Sequence, residues 1–194
     1  MEGAAAGQET PVTGTLQLVP ALTRPDLLAL PVAAELRGWE GARPVEQVAI
    51  AEIDPALADT AEFCARYGVA PEESANCVVV AGRRGGDARR AACLVLSTTR
   101  ADVNGVVRRI LDVRKASFLP AEEAVAATGM EYGGITPIGL PAGWPVLVDR
   151  AAAESDRVVI GSGVRRSKLW LPGALLAGLP GAEVVDGLGR PAAG

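Results

Sequence analysis

The stretch from Gly129 to Val146 constrains the fold more than any other part of the chain. It holds five glycines and three prolines in eighteen residues, and Glu131 is its one charged residue. A strand does not tolerate this much Gly and Pro, and glycine lets another molecule approach the backbone closely. Two interpretations stay open. The stretch either presents backbone N–H groups to an oxygen ligand, or it forms a structural corner between a helix and a strand.

A second glycine cluster, Gly161-Ser162-Gly163, follows the apolar run Val158–Ile160 and precedes several basic residues. Backbone amides beside positive charge can bind a phosphate or a nucleotide. A tight turn with a solvated basic face explains the same pattern. The cluster lacks the spacing of the loops that bind nucleoside triphosphates or dinucleotides, so the sequence does not support either ligand.

The composition excludes several kinds of chemistry. The chain has no histidine, which rules out a Ser-His-Asp triad, a Cys-His pair and a histidine-ligated metal. Its three cysteines have no CxxC spacing and lie in apolar contexts, so we expect reduced core thiols and a cytoplasmic location. The sequence has no run of eighteen apolar residues and its start lacks the features of a signal peptide, so no membrane span is expected.

Charge is distributed unevenly along the chain. The net charge is −4, but residues 1–62 carry ten acidic and three basic residues, whereas residues 83–115 carry nine basic and three acidic ones. A basic middle in an acidic protein favours a local anionic partner. A solvated face that pairs with the acidic N-terminal part is the alternative.

Hydrophobic periodicity and turn residues predict one α+β domain over residues 15–187. Residues 1–14 are expected to be disordered and residues 188–194 to form a flexible tail. The predicted helices cover 27–37, 54–67, 103–111, 121–128 and 172–176. The predicted strands cover 45–53, 77–81, 91–97, 145–149, 158–161, 167–171 and 182–185, with a hairpin turn at 83–87.

The order of these segments resembles the YbaK/EbsC family. This domain is shared by free-standing aminoacyl-tRNA deacylases and by the editing insertion of bacterial prolyl-tRNA synthetases. Gly133–Gly139 (GGITPIG) is similar to the family's glycine loop, Val146–Asp149 to its following strand, and Ile160–Gly163 to its isoleucine-glycine turn. The resemblance covers residues 56–187. It implies a strongly curved, barrel-like mixed β-sheet with surrounding helices, and the aminoacylated 3′ end of a tRNA as substrate.

The resemblance also implies a site in which loop amides face the aminoacyl ester, without a metal or another cofactor. The expected catalytic residues are Gly133, Gly134, Ile135, Thr136 and Asn76. The expected substrate-binding residues are Pro137, Ile138, Gly139, Gly161, Ser162, Gly163, Ala75 and Lys115. The uncharged walls favour a small amino acid such as Ala, Ser or Cys.

One departure from the family pattern concerns a pocket lysine that begins a strand. Its position falls at Ala75, or at Asn76 if the alignment slips by one residue. Asn76 can donate a hydrogen bond to a carbonyl or a ribose, but it carries no charge. The chain is therefore either a trans-editing deacylase that works without this lysine, or a binding module that has lost hydrolysis. Such a module would bind aminoacyl-tRNA, a nucleotide or an amino-acid-like metabolite.

The expected partner is the acceptor end of an aminoacyl-tRNA, with transient contact to an aminoacyl-tRNA synthetase and no role for DNA or a membrane. Phosphates would be contacted with little sequence readout. The expected contacts are Arg83, Arg84, Arg108, Arg109, Arg165, Arg166 and Lys168. Trp144 and Trp170 either stack on a terminal base or pack in the core or its rim.

Overall fold

The structure of the protein is a computed structural model that describes residues 14–41 and 43–191. The predicted disorder of the N-terminus falls, apart from Gly14, outside the described residues. The strands are β1 Val19–Pro20, β2 Ala49–Glu52, β3 Ala75–Arg84, β4 Asp87–Leu96, β5 Thr99–Ala101, β6 Ala116–Phe118, β7 Val146–Asp149, β8 Val158–Gly161, β9 Ser167–Leu171, β10 Ala182–Val185 and β11 Gly189–Pro191. The helices are α1 Leu30–Arg37, α2 Thr60–Tyr67, α3 Arg108–Ile110, α4 Ala121–Thr128, α5 Arg150–Glu154 and α6 Gly173–Leu176.

These strands form two larger sheets and a short ribbon. One sheet has the order β1-β2-β9-β8, the other the mixed order β10-β7-β4-β3-β6, and β11 pairs with β5. A single parallel bridge between Ser74 and Val159 connects the start of β3 to β8. The predicted α+β class is confirmed, whereas a single barrel-like sheet stays a prediction.

The β3–β4 hairpin turns at Gly85 and Gly86, as the sequence predicts. Their φ angles are 58° and 101°, and Arg84 pairs with Asp87 across the turn. Two consecutive residues with positive φ are typical of the tight hairpin turn that matches strand twist. Because this turn closes tightly, both strands extend several residues beyond the predicted ranges.

The helix predicted over 54–67 begins later than expected. The Asp54 carboxylate accepts a hydrogen bond from the Ala56 amide at 2.9 Å, but it starts only a 3₁₀ turn over Pro55–Leu57. Helix α2 begins at Thr60 and ends where Gly68 adopts φ 68°. The non-helical residues between the two pieces form part of the cavity described below.

The C-terminal segment predicted as a flexible tail forms a strand as far as Pro191. β11 pairs antiparallel with β5, and the side chain of Leu188 before it is fully buried. The amide of Gly189 donates to Asp149 Oδ1 at 2.8 Å. This carboxylate and the free edge of β5 fix a segment whose composition alone suggests disorder.

Helix α1 covers a core that both larger sheets share. Its buried Val32 joins one cluster with Ile50 and Ile160 from the first sheet and Leu94 and Val148 from the second. Burial of this apolar surface is the main force that holds the sheets together. Within residues 14–41 and 43–191, no helix has the length and apolar character needed to cross a membrane.

Replacing Asp102 by alanine is expected to lower the free energy of unfolding by about 1–2 kcal/mol. The Asp102 carboxylate caps the turn before α3, because it accepts from the amides of Gly105 and Val106 at 3.1 Å each. It also pairs with Arg190 at 2.6 Å. Urea denaturation measures the change, and Asp156→Ala, at an exposed position, is the control. Equal stability of the two variants would contradict the capping role.

Candidate active site

The two glycine clusters of the sequence lie against each other and share backbone hydrogen bonds. The Gly163 amide donates to the Gly134 carbonyl at 2.7 Å, and the Glu131 amide donates to the Gly163 carbonyl at 2.8 Å. Side-chain contact adds to this pairing, since Glu131 Oε2 accepts from the Arg165 amide at 2.7 Å. The glycine loop is therefore anchored to the turn after β8.

This close contact is possible because glycine has no side chain. A Cβ on Gly134 would lie 2.7 Å from the backbone carbonyl of Val164, and a Cβ on Gly161 would lie 2.7 Å from the carbonyl oxygen of Ile135. Real Cβ atoms do not approach backbone atoms so closely. Glycine is thus required at both positions by loop-to-loop packing.

Beside the paired loops lies a cavity of about 390 Å³. It is lined by Ala58, Asp59, Thr60, Ala75, Asn76, Cys77, Val78, Val79, Phe118, Leu119, Ala121, Ala124, Tyr132, Gly133, Ile135, Gly161 and Lys168. These residues come from β3, the start of α2, the segment from β6 to α4, the glycine loop and the β8–β9 pair. Segments that are distant in sequence therefore meet around one cavity.

The backbone amides of the glycine loop differ in whether they can donate a hydrogen bond to a ligand. The Gly134 amide already donates to the Glu131 carbonyl at 2.9 Å. In the described part of the chain, the amides of Gly133 and Ile135 have no hydrogen-bond acceptor, and both residues line the cavity. Gly133 and Ile135 are thus the loop residues whose N–H groups can serve a bound oxygen, while Gly134 shapes the loop.

Asn76 lies on the cavity wall with a defined orientation. Its Oδ1 accepts a hydrogen bond from the Thr60 hydroxyl at 2.7 Å. Among the described residues no acceptor is found for its Nδ2 group. Because Thr60 holds the oxygen, the amide nitrogen can donate to a ligand.

Lys168 also lines this cavity, although the sequence suggested it only as a phosphate contact. Its Nζ donates to the Ala58 carbonyl at 2.9 Å and lies 5.2 Å from the centre of the Phe63 ring. Burial is the main cause that lowers the Lys168 pKa from 10.5 to about 8, and the nearby Arg165 lowers it further. Since Lys168 and Asp59 line the cavity, the prediction of uncharged walls is wrong.

The alternation of side chains between the two faces of β9 could have identified Lys168 as a cavity residue. This requires knowing which strands lie beside β9. Lys168 sits between Ala51 of β2 and Gly161 of β8 in the sheet. Because Gly161 has no side chain, the backbone of the glycine loop packs directly against this strand. Sequence periodicity does not reveal which face of the strand meets the glycine loop, so the sequence alone predicts a place on the basic surface for Lys168.

Cys77 is the one thiol among the residues that line the cavity. Burial raises its pKa well above the usual range, and burial raises the pKa of Cys93 to about 12. A thiol with a raised pKa is a poor nucleophile because it stays protonated. Together with Cys64, these cysteines are free thiols.

Several other predicted site residues lie outside this cavity. Thr136, Ile138 and Ser162 are fully buried, and the Ser162 hydroxyl lies 2.7 Å from that of Ser167. Pro137 and Gly139 line a separate cavity of about 360 Å³. Gly163 engages the glycine loop through its backbone, as described above. The assignments of these residues to substrate binding or catalysis stay predictions.

The predicted cations fall into two groups. Arg83 and Lys115 line a groove of about 530 Å³ together with Arg90 and Arg114, and this groove shares Leu119 with the main cavity. Arg84 pairs with Asp112 at 2.7 Å. Arg108 and Arg109 donate to backbone carbonyls one helical turn earlier.

Arg165 and Arg166 lie on the other side, before β9. Arg165 Nη1 lies 3.4 Å from both Asp59 Oδ1 and the Tyr132 carbonyl, so it joins the start of α2 to the glycine loop. Arg166 donates to the Asp26 carbonyl. Both side chains therefore have structural partners next to the cavity.

Neither tryptophan considered for stacking lines the main cavity. Trp170 is only 7% exposed and belongs to a core cluster. Trp144 lies beside Arg90, whose guanidinium is 5.7 Å from the ring centre. Phe118 and Tyr132 do line the cavity, and they are 59% and 64% exposed. Neither ring is among the stacking residues expected from the sequence.

A family model describing the aminoacyl-tRNA editing domain matches residues 54–179. This range includes all the segments that form the cavity. The chain belongs to the aminoacyl-tRNA editing domain family, and its assignment to the YbaK group within it is confirmed.

Solved structures show the same fold. A candidate trans-editing enzyme for prolyl-tRNA synthetase is 21% identical, with a TM-score of 0.68 over 81% of this chain and 94% of that one. A scaffold protein used for epitope grafting is 22% identical, with a TM-score of 0.67 over 84% and 97%. A hypothetical protein is 23% identical, with a TM-score of 0.63 over 73% and 90%.

Replacing Gly134 by alanine is expected to loosen the pairing of the two loops. The added Cβ would press on the Val164 backbone, so the hydrogen bond from Gly163 would break. Hydrogen–deuterium exchange in peptides that contain Gly163 should become faster by about tenfold or more. Gly38→Ala is the matched control, because its Cβ would be 3.6 Å from the nearest atom. Unchanged exchange in Gly134→Ala would contradict this account of the loop.

Proposed function

We propose that the protein is a trans-editing aminoacyl-tRNA deacylase that hydrolyses the ester of a tRNA mischarged with a small amino acid. The observation that carries the proposal is one cavity lined by Gly133 and Ile135, whose amides have no acceptor among the described residues, and by Asn76 and Lys168. Hydrogen-bond donors dominate this set, which suits an ester carbonyl whose oxygen gains negative charge during hydrolysis. The family and the fold support the same substrate class.

The reaction requires few groups from the protein. A water molecule attacks the ester carbonyl carbon, the carbonyl oxygen becomes negative in the tetrahedral intermediate, and the bond to the ribose oxygen breaks. The attacking water loses a proton and the ribose oxygen gains one, so the products are the free amino acid and tRNA with an intact 3′ end. Removing one donor to the developing oxyanion typically lowers kcat about 100-fold or more.

The size of the cavity supports a small amino acid. Ligand cavities range from about 300 to 1,000 Å³, and this one, at about 390 Å³, lies near the lower end. It has to receive the ester together with part of the ribose, so little volume is left for the side chain. Alanine, serine or cysteine would fit such a space better than leucine or phenylalanine.

Two exposed rings support binding of the terminal nucleotide. Phe118 and Tyr132 reach the cavity wall from β6 and from the glycine loop. Stacking of a base on an aromatic ring contributes about 1–3 kcal/mol and tolerates any base. The adenine that is joined to the esterified ribose would stack here while the ester enters the cavity.

The basic groove next to the cavity supports a path for the acceptor stem. Arg83, Arg90, Arg114 and Lys115 line it, and Leu119 lines both this groove and the main cavity. Contacts between such cations and phosphates give affinity that is independent of sequence and falls with salt. A cytoplasmic location and transient contact with a synthetase belong to the same proposal.

Deacylation of a panel of mischarged tRNAs tests the proposed activity. We expect the protein to cleave Ala-, Ser- or Cys-tRNA faster than buffer does, and to leave Leu- and Phe-tRNA intact. Asn76→Ala should lower kcat/KM about tenfold, because a hydrogen bond to a polar substrate is lost. The exposed variant Arg37→Ala is the control.

The panel also separates the enzyme from a binding module. If no ester is cleaved above the buffer rate while the tRNAs still bind, hydrolysis is excluded and the protein binds the aminoacylated end without reaction. If neither cleavage nor binding occurs, the tRNA substrate itself is excluded.

Removing two cations from the basic groove should weaken tRNA binding without slowing the chemical step. For Arg83→Ala/Arg114→Ala we expect a higher KM, an unchanged kcat, and a salt dependence of log kcat/KM that is shallower by about 1–2. Arg150→Ala is the matched control, since Arg150 pairs with Asp186 and Glu154. An unchanged KM and salt slope would exclude the groove as the path of the acceptor stem.

A further inference from the structure

Lys168 is the one cation among the described residues that line the main cavity. It enters from β9, on the sheet opposite to the one that contributes Asn76, and lies next to Gly161 in the neighbouring strand. Asp59 is the other charged residue of the wall, and its carboxylate lies 3.4 Å from the guanidinium of Arg165. The positive charge of Lys168 is therefore not cancelled by a direct carboxylate partner within the described residues.

The ammonium group of Lys168 has hydrogen-bonding capacity left for a ligand. A lysine side chain carries three N–H donors, and the described residues provide one acceptor, the Ala58 carbonyl at 2.9 Å. The Phe63 ring, 5.2 Å away, covers another side of the ammonium and favours its cationic form. Lys168 lines the same cavity as Gly133 and Ile135.

We propose that Lys168 is a catalytic residue that binds the carbonyl oxygen of the aminoacyl ester and stabilises its negative charge in the transition state. This inference rests on the deacylase activity proposed above. Lys168 acts as a hydrogen-bond donor together with the amides of the glycine loop, and no proton is transferred to or from it. As the water attacks and gives up a proton, the charge that develops on the carbonyl oxygen is attracted by the ammonium. The carbonyl re-forms when the bond to the ribose oxygen breaks, and the ribose oxygen takes up a proton.

The groups around Lys168 determine when it is charged. Burial and the guanidinium of Arg165 lower its pKa to about 8, while the Asp59 carboxylate and the Cys64 thiol act in the opposite direction. Nζ is thus mainly cationic below about pH 8 and neutral above it. A donor that must be cationic should lose its effect as the pH rises through this value, whereas a general base would gain activity over the same range.

The test measures deacylation of the best mischarged tRNA by the wild type, Lys168→Met and Lys168→Arg. We expect Lys168→Met to lower kcat about 100-fold with little change in KM, and Lys168→Arg to keep part of the activity. After subtraction of the buffer rate, wild-type kcat should fall as the pH rises past about 8, and Lys168→Arg should lack this fall because arginine stays charged. Arg37→Met is the control for loss of a surface charge.

A second measurement does not depend on turnover. The chain has two lysines, so ¹³C labelling of lysine gives two Cε signals, and the spectrum of Lys168→Met assigns them. Addition of the non-hydrolysable probe 3′-alanylamino-3′-deoxyadenosine should shift the Lys168 signal. It should also displace the apparent pKa of Lys168 upwards, because a bound carbonyl oxygen favours the cation.

The outcomes separate this inference from the proposed function. An active wild type with Lys168→Met near the wild-type kcat and an unchanged pH profile would overturn the role of Lys168 and leave the deacylase in place. No cleavage by the wild type would overturn the deacylase and the catalytic role together, and the probe titration would then decide whether Lys168 contacts the carbonyl. If Lys168→Met does not fold, the pH profiles of Lys168→Arg and the wild type test the role of Lys168, together with the probe titration. Identical pH profiles and an unshifted lysine signal would overturn this role.

Discussion

The hydrogen bonds between the two glycine clusters are the constraint on which the rest of the site depends. They join Gly163, after β8, to Gly134 and Glu131 in the loop after α4. β8 belongs to one sheet, and its bridge from Val159 to Ser74 leads to the residue just before β3 of the other sheet. The hydrogen bonds between the two loops thus lie next to the bridge between the two sheets, and the cavity opens where the sheets meet.

This junction explains how the cavity gains polar groups from both sheets. Asn76 comes from β3 and Lys168 from β9, and the glycine loop closes the space between them. Polar groups at such a junction can face a ligand while the apolar residues beside them fill the shared core. If these polar groups lay within the buried face of a single sheet, they would have no hydrogen-bond partners, and their burial would cost much free energy.

Much of the local structure could be predicted from the sequence, because its signals act over short distances. The Gly85-Gly86 hairpin, the strand 158–161 and the helix 121–128 depend on turn chemistry and periodicity, and the structure contains them. The C-terminal strand could not be predicted in this way. It depends on the edge of β5 and on the distant carboxylate of Asp149, and neither leaves a mark in the sequence around Gly189.

The candidate site shows the same division. The glycine loop was visible as composition, but composition could not tell that the Gly134 amide bonds to Glu131 while those of Gly133 and Ile135 stay available. The absence of a lysine at Ala75 or Asn76 suggested uncharged cavity walls, with Lys115 as the one cation among the expected substrate-binding residues. Such a statement assumes that one strand must supply the charge, and the fold places Lys168 of β9 against the same space.

A lysine in such a place is costly, and its cost points to a use in the cavity. Burial opposes the charged form strongly enough to bring the Lys168 pKa to about 8, so an apolar residue of similar length would be easier to accommodate if only packing mattered. The bond to the Ala58 carbonyl does not require a charge, since a neutral amine donates as well. Lys168 retains its charge near neutral pH, and it lines the same cavity as two available amides. Such a set of groups favours a ligand that carries negative charge or develops it during a reaction. The oxygen of an ester under attack by water meets this condition, and it needs no histidine to do so.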